Sequence, residues 1–179
     1  EAGHDVTAVD LRQHFLDYAR SRYEKGTIRF VCGNVLEMEA PRRFDIVFCN
    51  QLIEHLVYPA RLVERLADWL TPGGCLVMTT PNGSYFRSSL PAFSSLGNPN
   101  VFEHLQFSAD ADGHFFAYRP REFKALFPSH LFSSVALHFF ETPWISGHVK
   151  MRYMQPLLGQ EKCRVLDRAT LAIPGLARF

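Results

Sequence analysis

The sequence lacks several features that would assign it to a large class at once. No apolar run approaches the ~20 residues needed to cross a bilayer, and the start shows no leader pattern of charged, apolar and small segments. There is no initiator methionine: the chain opens with Glu1, and is expected to be a piece of a longer chain or a processed one. No block of like charges occurs. Nineteen Lys and Arg against 18 Asp and Glu leave a formal charge of +1, which argues against a protein living mainly on phosphate contacts, so nucleic acid is not the expected partner. The four cysteines, Cys32, Cys49, Cys75 and Cys163, show no CxxC spacing, which removes the commonest zinc and thiol-redox patterns. Buried, reduced thiols are the plain expectation, in keeping with a cytoplasmic setting. Internal repeats and low-complexity tracts are also missing.

What is present is an ordinary globular composition, 47% apolar over 179 residues, enough for one domain with a real core. Residues 5–10 form a short β-rich run ending in Asp10. A helical pattern follows in Leu11, Phe15, Ala19 and Arg22-Tyr23, stopped by Gly26. Residues 28–32 are the next strand, closed by Gly33-Asn34. Residues 44–49 are a third, apolar apart from Asp45, as a strand covered on both faces would be. In residues 59–70, Leu62, Val63, Leu66, Ala67 and Leu70 make one apolar helical stripe opposite Arg61, Glu64, Arg65 and Asp68. Thr71-Pro72-Gly73-Gly74 is expected to end that helix and turn the chain. Residues 75–80 make a fourth strand, ended by Pro81-Asn82-Gly83.

This alternation predicts an α/β domain on a mostly parallel sheet, where ligands bind beyond the carboxyl ends of the strands. Those ends carry Asp10, Asn34, Asn50 and Asn82. The rest is less regular. Residues 84–112 show no clean period, 120–127 read as a short helix, and 133–140 as a strand. Residues 151–179 read as weak helix broken by Pro156, Gly159, Pro174 and Gly175.

Four segments in this order carry a resemblance: Val6-Thr-Ala-Val-Asp10-Leu11; Phe30-Val-Cys-Gly33-Asn34-Val35; Phe44-Asp45-Ile-Val-Phe-Cys-Asn50-Gln51-Leu-Ile-Glu54-His55-Leu56; and Leu70-Thr-Pro72-Gly73-Gly74-Cys-Leu-Val-Met-Thr-Thr80-Pro81-Asn82. Their order and spacing resemble the class I S-adenosylmethionine-dependent methyltransferases. The resemblance runs over about residues 4–82 and more loosely to about 140. It implies a Rossmann-like, doubly wound fold with helices on both faces of the sheet. The family's Gly-x-Gly-x-Gly loop and the strand before it have no counterpart here, so the first strand is expected to lie outside this chain, with a last strand beyond residue 179 as a further alternative. The expected organisation is one domain, 1–179, with an acceptor-pocket insertion at about 83–119.

The resemblance assigns roles residue by residue. Asp10 would accept hydrogen bonds from the cofactor's ribose diol, with the start of a helix as the plainer explanation of a carboxylate there. Leu11 would pack on the adenosine edge. Asn34 stands where the family usually has Asp. Its carbonyl can still accept from the adenine amino group, with the Val35 N–H donating to the ring, or it is simply a turn residue. Asn50 and Gln51 would line the methionine end. Glu54 and His55 have two readings. In the plainer one Glu54 sits in the first turn of a short helix and His55 packs beside the cofactor. In the other, Glu54, His55 and the later His114 hold a divalent metal ion. Small-RNA 2′-O-methyltransferases and some ubiquinone-pathway O-methyltransferases carry Glu-x-x-Glu-His here, but Gln51 replaces the first Glu. His55 is also a candidate general base. The aromatic residues of the insertion, Phe86, Phe93, Phe102, Phe107, Phe115 and Phe116, either line an acceptor pocket or cap the core.

The activity implied is methyl transfer from S-adenosyl-L-methionine to a small-molecule acceptor, expected at oxygen, with S-adenosyl-L-homocysteine as product. A divalent metal is kept as the lesser alternative. Two rivals come from other classes: a non-catalytic methyltransferase-fold scaffold or partner-binding protein, and a nucleotide-sugar or nicotinamide enzyme sharing the acid at the end of the second strand.

Overall fold

A computed structural model describes residues 3–23, 26–85, 88–106, 114–139 and 148–173. Its contacts divide into two compact units. The first comprises Glu1–Cys49 and Tyr58–Met78; the second comprises Asn50–Val57 and Thr79–Phe179.

In the first unit β1 (Val6–Asp10), α1 (Gln13–Arg22) and β2 (Ile28–Cys32) form one strand–helix–strand turn of the chain. The strands pair in parallel, Val6 opposite Ile28 and Asp10 opposite Cys32. Both carboxyl ends therefore fall at one edge, as parallel strands joined by a helix require. The buried side chain of α1 is Leu16, whereas Phe15 is 49% exposed; the stripe through Leu11, Phe15 and Ala19 is not the one that packs. β3 (Phe44–Asn50) and β4 (Leu70–Thr79) form the other pair. Phe44 N–H bonds to the Trp69 carbonyl at one end, and Gln51 N–H to the Thr79 carbonyl at the other. Residue numbers rise together, so this pair is parallel too. The α/β architecture is as expected.

Helix α2 (Pro59–Asp68) supplies the firmest part of this unit. Proline stands in its first turn, where a missing N–H costs nothing. Leu62, Val63 and Leu66 are buried, each contributing roughly 1.5–3 kcal/mol by transfer from water. Arg65, expected on the solvent side, is half-buried and donates to the Glu37 and Met38 carbonyls.

Three expectations are corrected, the last of them across both units. Thr71-Pro72-Gly73-Gly74 does not turn the chain but opens β4. Gly73 takes φ +80 inside the strand, and a Cβ on Gly74 would lie 2.9 Å from the Thr71 carbonyl and 3.1 Å from that of Asp45. Glycine here lets the strand bend close to its neighbour. β3 is not covered on both faces: Ile46 and Phe48 are each 63% exposed, because no described element packs there. Of the cysteines, only Cys49 and Cys163 are buried, while Cys32 and Cys75 are exposed on alternate strand positions; all four are free.

The second unit is built around the segment 114–119. Short parallel bridges join Asn82 to Tyr118 and Ala92 to Ala117. Phe116 and Tyr118 lie at its centre, almost wholly buried. Phe93 sits 4.9 Å from Phe116 and 5.2 Å from Tyr118, and the cluster continues through Phe123 to Phe127 and Phe132. The region read as aperiodic contains two 3₁₀ segments, Phe93–Ser95 and Pro99–Leu105. The helix α3 (Pro120–Ala125) forms as predicted, its start fixed by Glu122, which accepts from Arg119 N–H at 2.8 Å. The strand expected over 133–140 is not formed in the described part, 133–139: an apolar run makes a strand only with a partner ladder, and none is described there. Its last residue, Phe140, lies outside the described residues. The helix expected beyond 151 forms as α4 (His148–Leu171); it breaks at Gly159, φ +75, as expected, whereas Pro156 lies inside it, and Pro174 and Gly175 lie outside the described residues. Among the described residues no helix is long and apolar enough to cross a membrane.

Candidate functional site

The first unit gathers Asp10, Leu11, Asn34 and Val35 at the carboxyl end of the β1–β2 pair. The Gly33 N–H bonds to the Asp10 carbonyl at 3.0 Å and ties the two strand ends together. Asp10 is half-buried, and its Oδ1 accepts from Arg12 N–H at 2.8 Å. That local bond orients the carboxylate just ahead of α1. Leu11 is 44% exposed beside it. Asn34 folds the loop after β2 into a turn: its Oδ1 accepts from Leu36 N–H at 3.0 Å, and its carbonyl from Glu37 and Met38 N–H. The turn-forming use of Asn34 is thus realised, and an amide carbonyl with one lone pair so engaged retains a second.

The second unit holds Asn50, Gln51, Glu54, His55 and His114. Gln51 takes φ +49, the one positive φ of a non-glycine residue described in the chain. Its N–H is shared between the carbonyl and the hydroxyl of Thr79, at 3.1 and 3.2 Å. The same hydroxyl donates to Asn50 Oδ1 at 2.6 Å. Sequence reasoning passed over Thr79 and the next residue, Thr80, because two β-branched residues ending an apolar run read only as strand. The signal available was their place, directly before Pro81 at a carboxyl end.

A 3₁₀ turn, Ile53–His55, follows Gln51. It buries Ile53 and Glu54 and leaves His55 half-exposed. Glu54 is fully buried. Its Oε2 accepts from the Thr80 hydroxyl at 3.2 Å, while Oε1 has no hydrogen-bond partner. Burial away from water raises its pKa to about 7, against the backbone and Thr80 hydrogen bonds that favour the anion. His114 brings Nε2 to 3.8 Å from Oε1. The rings of His55 and His114 meet edge-on, 4.7 Å between centroids. One ligand atom from each of Glu54, His55 and His114 lies within 4.8 Å of the others. Beneath them the Tyr118 hydroxyl donates to the Ile53 carbonyl at 3.3 Å and fixes the turn from below. Burial, with Glu54 and Glu122 nearby, pushes the pKa of that phenol up, so it stays a donor.

The aromatic residues expected to line a pocket or cap the core divide. Phe93 and Phe116 belong to the packed cluster, whereas Phe102 and Phe115 are half-exposed and stack at 5.8 Å and 21°. Phe86 and Phe107 lie outside the described residues.

Residues 1–78, less than half of the chain, match the family model described as a methyltransferase domain. Among curated proteins the chain is similar to a ubiquinone biosynthesis O-methyltransferase of Coxiella burnetii, 31% identical over 103 residues, which cover 56% of this chain and 43% of the relative. A protein of the same description from a Bradyrhizobium species is 33% identical over 85 residues, covering 46% and 34%. The chain spans less than half the length of these relatives. Among solved structures it overlaps the N-methyltransferase NodS of Bradyrhizobium japonicum in complex with S-adenosyl-L-homocysteine, with a TM-score of 0.42 and 18% identity, covering 45% of this chain and 43% of that one.

Proposed function

We propose that this chain is the greater part of a single methyltransferase domain that transfers a methyl group from S-adenosyl-L-methionine to an oxygen of a small-molecule acceptor. The observation that carries the oxygen acceptor is the cluster of Glu54, His55 and His114, a buried carboxylate with one unsatisfied oxygen beside two imidazoles. Relatives described as O-methyltransferases support the same choice.

The donor set fits the adenosine half of the cofactor. Asp10 supplies the acceptor that a vicinal diol needs, Leu11 an apolar edge, and Asn34 with Val35 an acceptor and a donor for adenine. Asn50 and Gln51 are assigned to the methionine end. The cofactor, when bound, supplies an electrophilic methyl group. The protein's task is then alignment and removal of a proton, with His55 as the base where it does not serve as a metal ligand.

A divalent ion also fits the residues. Glu54 Oε1 is an orphaned buried oxygen, which is costly unless a cation or proton meets it, and two imidazoles with one carboxylate are a common donor set for divalent transition ions. Glu54, His55 and His114 would hold such an ion, which would lower the pKa of an acceptor hydroxyl. Phe102 and Phe115 offer a stacked, half-exposed apolar wall for a planar or lipophilic acceptor.

The test is calorimetric titration of S-adenosyl-L-homocysteine into the full-length protein, followed by transfer of a labelled methyl group to hydroxylated and aminated small molecules. Micromolar binding and labelling of hydroxyl acceptors support the reading. A folded protein that binds no cofactor returns it to the scaffold alternative.

A further inference from the structure

We propose that Thr79 is a positioning residue: its hydroxyl latches Gln51 in a left-handed backbone conformation and thereby sets where the chain leaving β3 presents Asn50, Gln51 and Glu54. The inference rests on the cofactor and acceptor reading above for its functional consequence, but not for its geometry.

Residues with a Cβ adopt positive φ only a few per cent of the time, and Gln51 does so at +49. Something must hold it there. The Thr79 hydroxyl makes three bonds at this point. It donates to Asn50 Oδ1 at 2.6 Å, accepts from Gln51 N–H at 3.2 Å, and accepts from Gln51 Nε2 at 3.4 Å. A hydroxyl has one donor and two acceptor sites, so its capacity is fully used. The Thr79 carbonyl adds a bond to the same Gln51 N–H, at 3.1 Å. Asn50 and Gln51 are exposed, and Thr79 is half-buried behind them. The hydroxyl therefore orders two exposed side chains. The 3₁₀ turn with Glu54 begins two residues after Gln51, so a change in the φ of Gln51 redirects that turn.

The test uses the full-length protein with Thr79→Val, which keeps the shape and removes the hydroxyl, and Thr79→Ser, which keeps the hydroxyl. Gln51→Gly and the double variant Gln51→Gly/Thr79→Val complete a cycle. Affinity for S-adenosyl-L-homocysteine is read by calorimetry, and Tm by thermal unfolding. The expected result is a loss of about tenfold in affinity for Thr79→Val, the size of one to two lost hydrogen bonds, with Thr79→Ser close to wild type. The Thr79→Val penalty should shrink in the Gln51→Gly background, because glycine takes positive φ unaided. Thr79→Val binding within twofold of wild type overturns the proposal, as does a penalty equal in both backgrounds. If wild type binds no cofactor, the methyltransferase reading fails instead, and the Tm cycle alone decides the latch. Should Thr79→Val not fold, Gln51→Gly on its own decides: a Tm held or raised supports the latch, and a lowered Tm overturns it.

Discussion

Glu54 Oε1 and His114 Nε2 face each other at 3.8 Å, one inside the protein and the other at its surface. Glu54 comes from the turn after β3, and His114 from the segment that pairs with Asn82 and Ala92 through Tyr118 and Ala117. With the raised pKa of Glu54, the pair has room for a cation, either a proton or a divalent metal ion. A divalent cation should therefore raise the Tm of the wild-type protein in a dose-dependent way, by mass action on the folded state. Glu54→Ala and His114→Ala should each abolish the rise. Equal shifts in wild type and both variants would locate the ion elsewhere.

The pKa of Glu54 makes a second prediction, about pH. Its folded value of about 7 lies above the ordinary 4.5, so between those values the folded state holds a proton that the unfolded state has released. Stability attributable to this residue falls as pH rises through that window. The full loss is of order 3 kcal/mol above pH 7. Glu54→Gln carries no such charge. Urea midpoints at pH 5 and pH 8 should differ less in Glu54→Gln than in wild type. An equal difference would mean that burial does not perturb this carboxyl.

Asp10 tests the ribose contact. A carboxylate hydrogen bond to a ligand contributes roughly 1.5–3 kcal/mol, so Asp10→Ala should weaken S-adenosyl-L-homocysteine by about tenfold to a hundredfold. Its Oδ1 also accepts from Arg12 N–H ahead of α1, so some loss of Tm is expected as well. Asp10→Asn keeps an acceptor for that local bond. It should recover most of the Tm and little of the affinity. Recovery of both together would reduce Asp10 to a structural residue.

Much of this was legible in the sequence. β1, β2 and the body of β3 are apolar runs closed by polar residues, and α2 shows a stripe whose Leu62, Val63 and Leu66 are buried. Glu54, His55 and His114 were nominated together and lie together. The misreadings have physical causes. Gly73 carries turn chemistry, and its positive φ is real, but the bend is absorbed within β4. Composition shows that Ile46 and Phe48 are apolar, not whether anything covers them. Residues 133–139 have the pattern of a strand, and no partner is found for them among the described residues. The φ of Gln51 has no sequence signature, because the Thr79 hydroxyl that holds it comes from a residue far along the chain.

Gly83 joins fold to site and gives the last prediction. Its N–H bonds to the Tyr118 carbonyl at 2.8 Å. A Cβ there would stand 2.9 Å from both the Ala117 carbonyl oxygen and the Tyr118 carbonyl carbon. These are backbone atoms of the segment that carries His114, so they can yield only by moving that segment. Gly83→Ala should cost about 1–3 kcal/mol in stability, as overpacking does. It should also weaken divalent-ion binding, because a shift of Tyr118 frees its hydroxyl from the Ile53 carbonyl under Glu54. Asp10→Ala, in the first unit, should leave ion affinity unchanged. Titration of manganese into both variants separates the cases: a Gly83→Ala protein that binds the ion as wild type does would show that the two backbone segments can part without disturbing Glu54, His55 and His114.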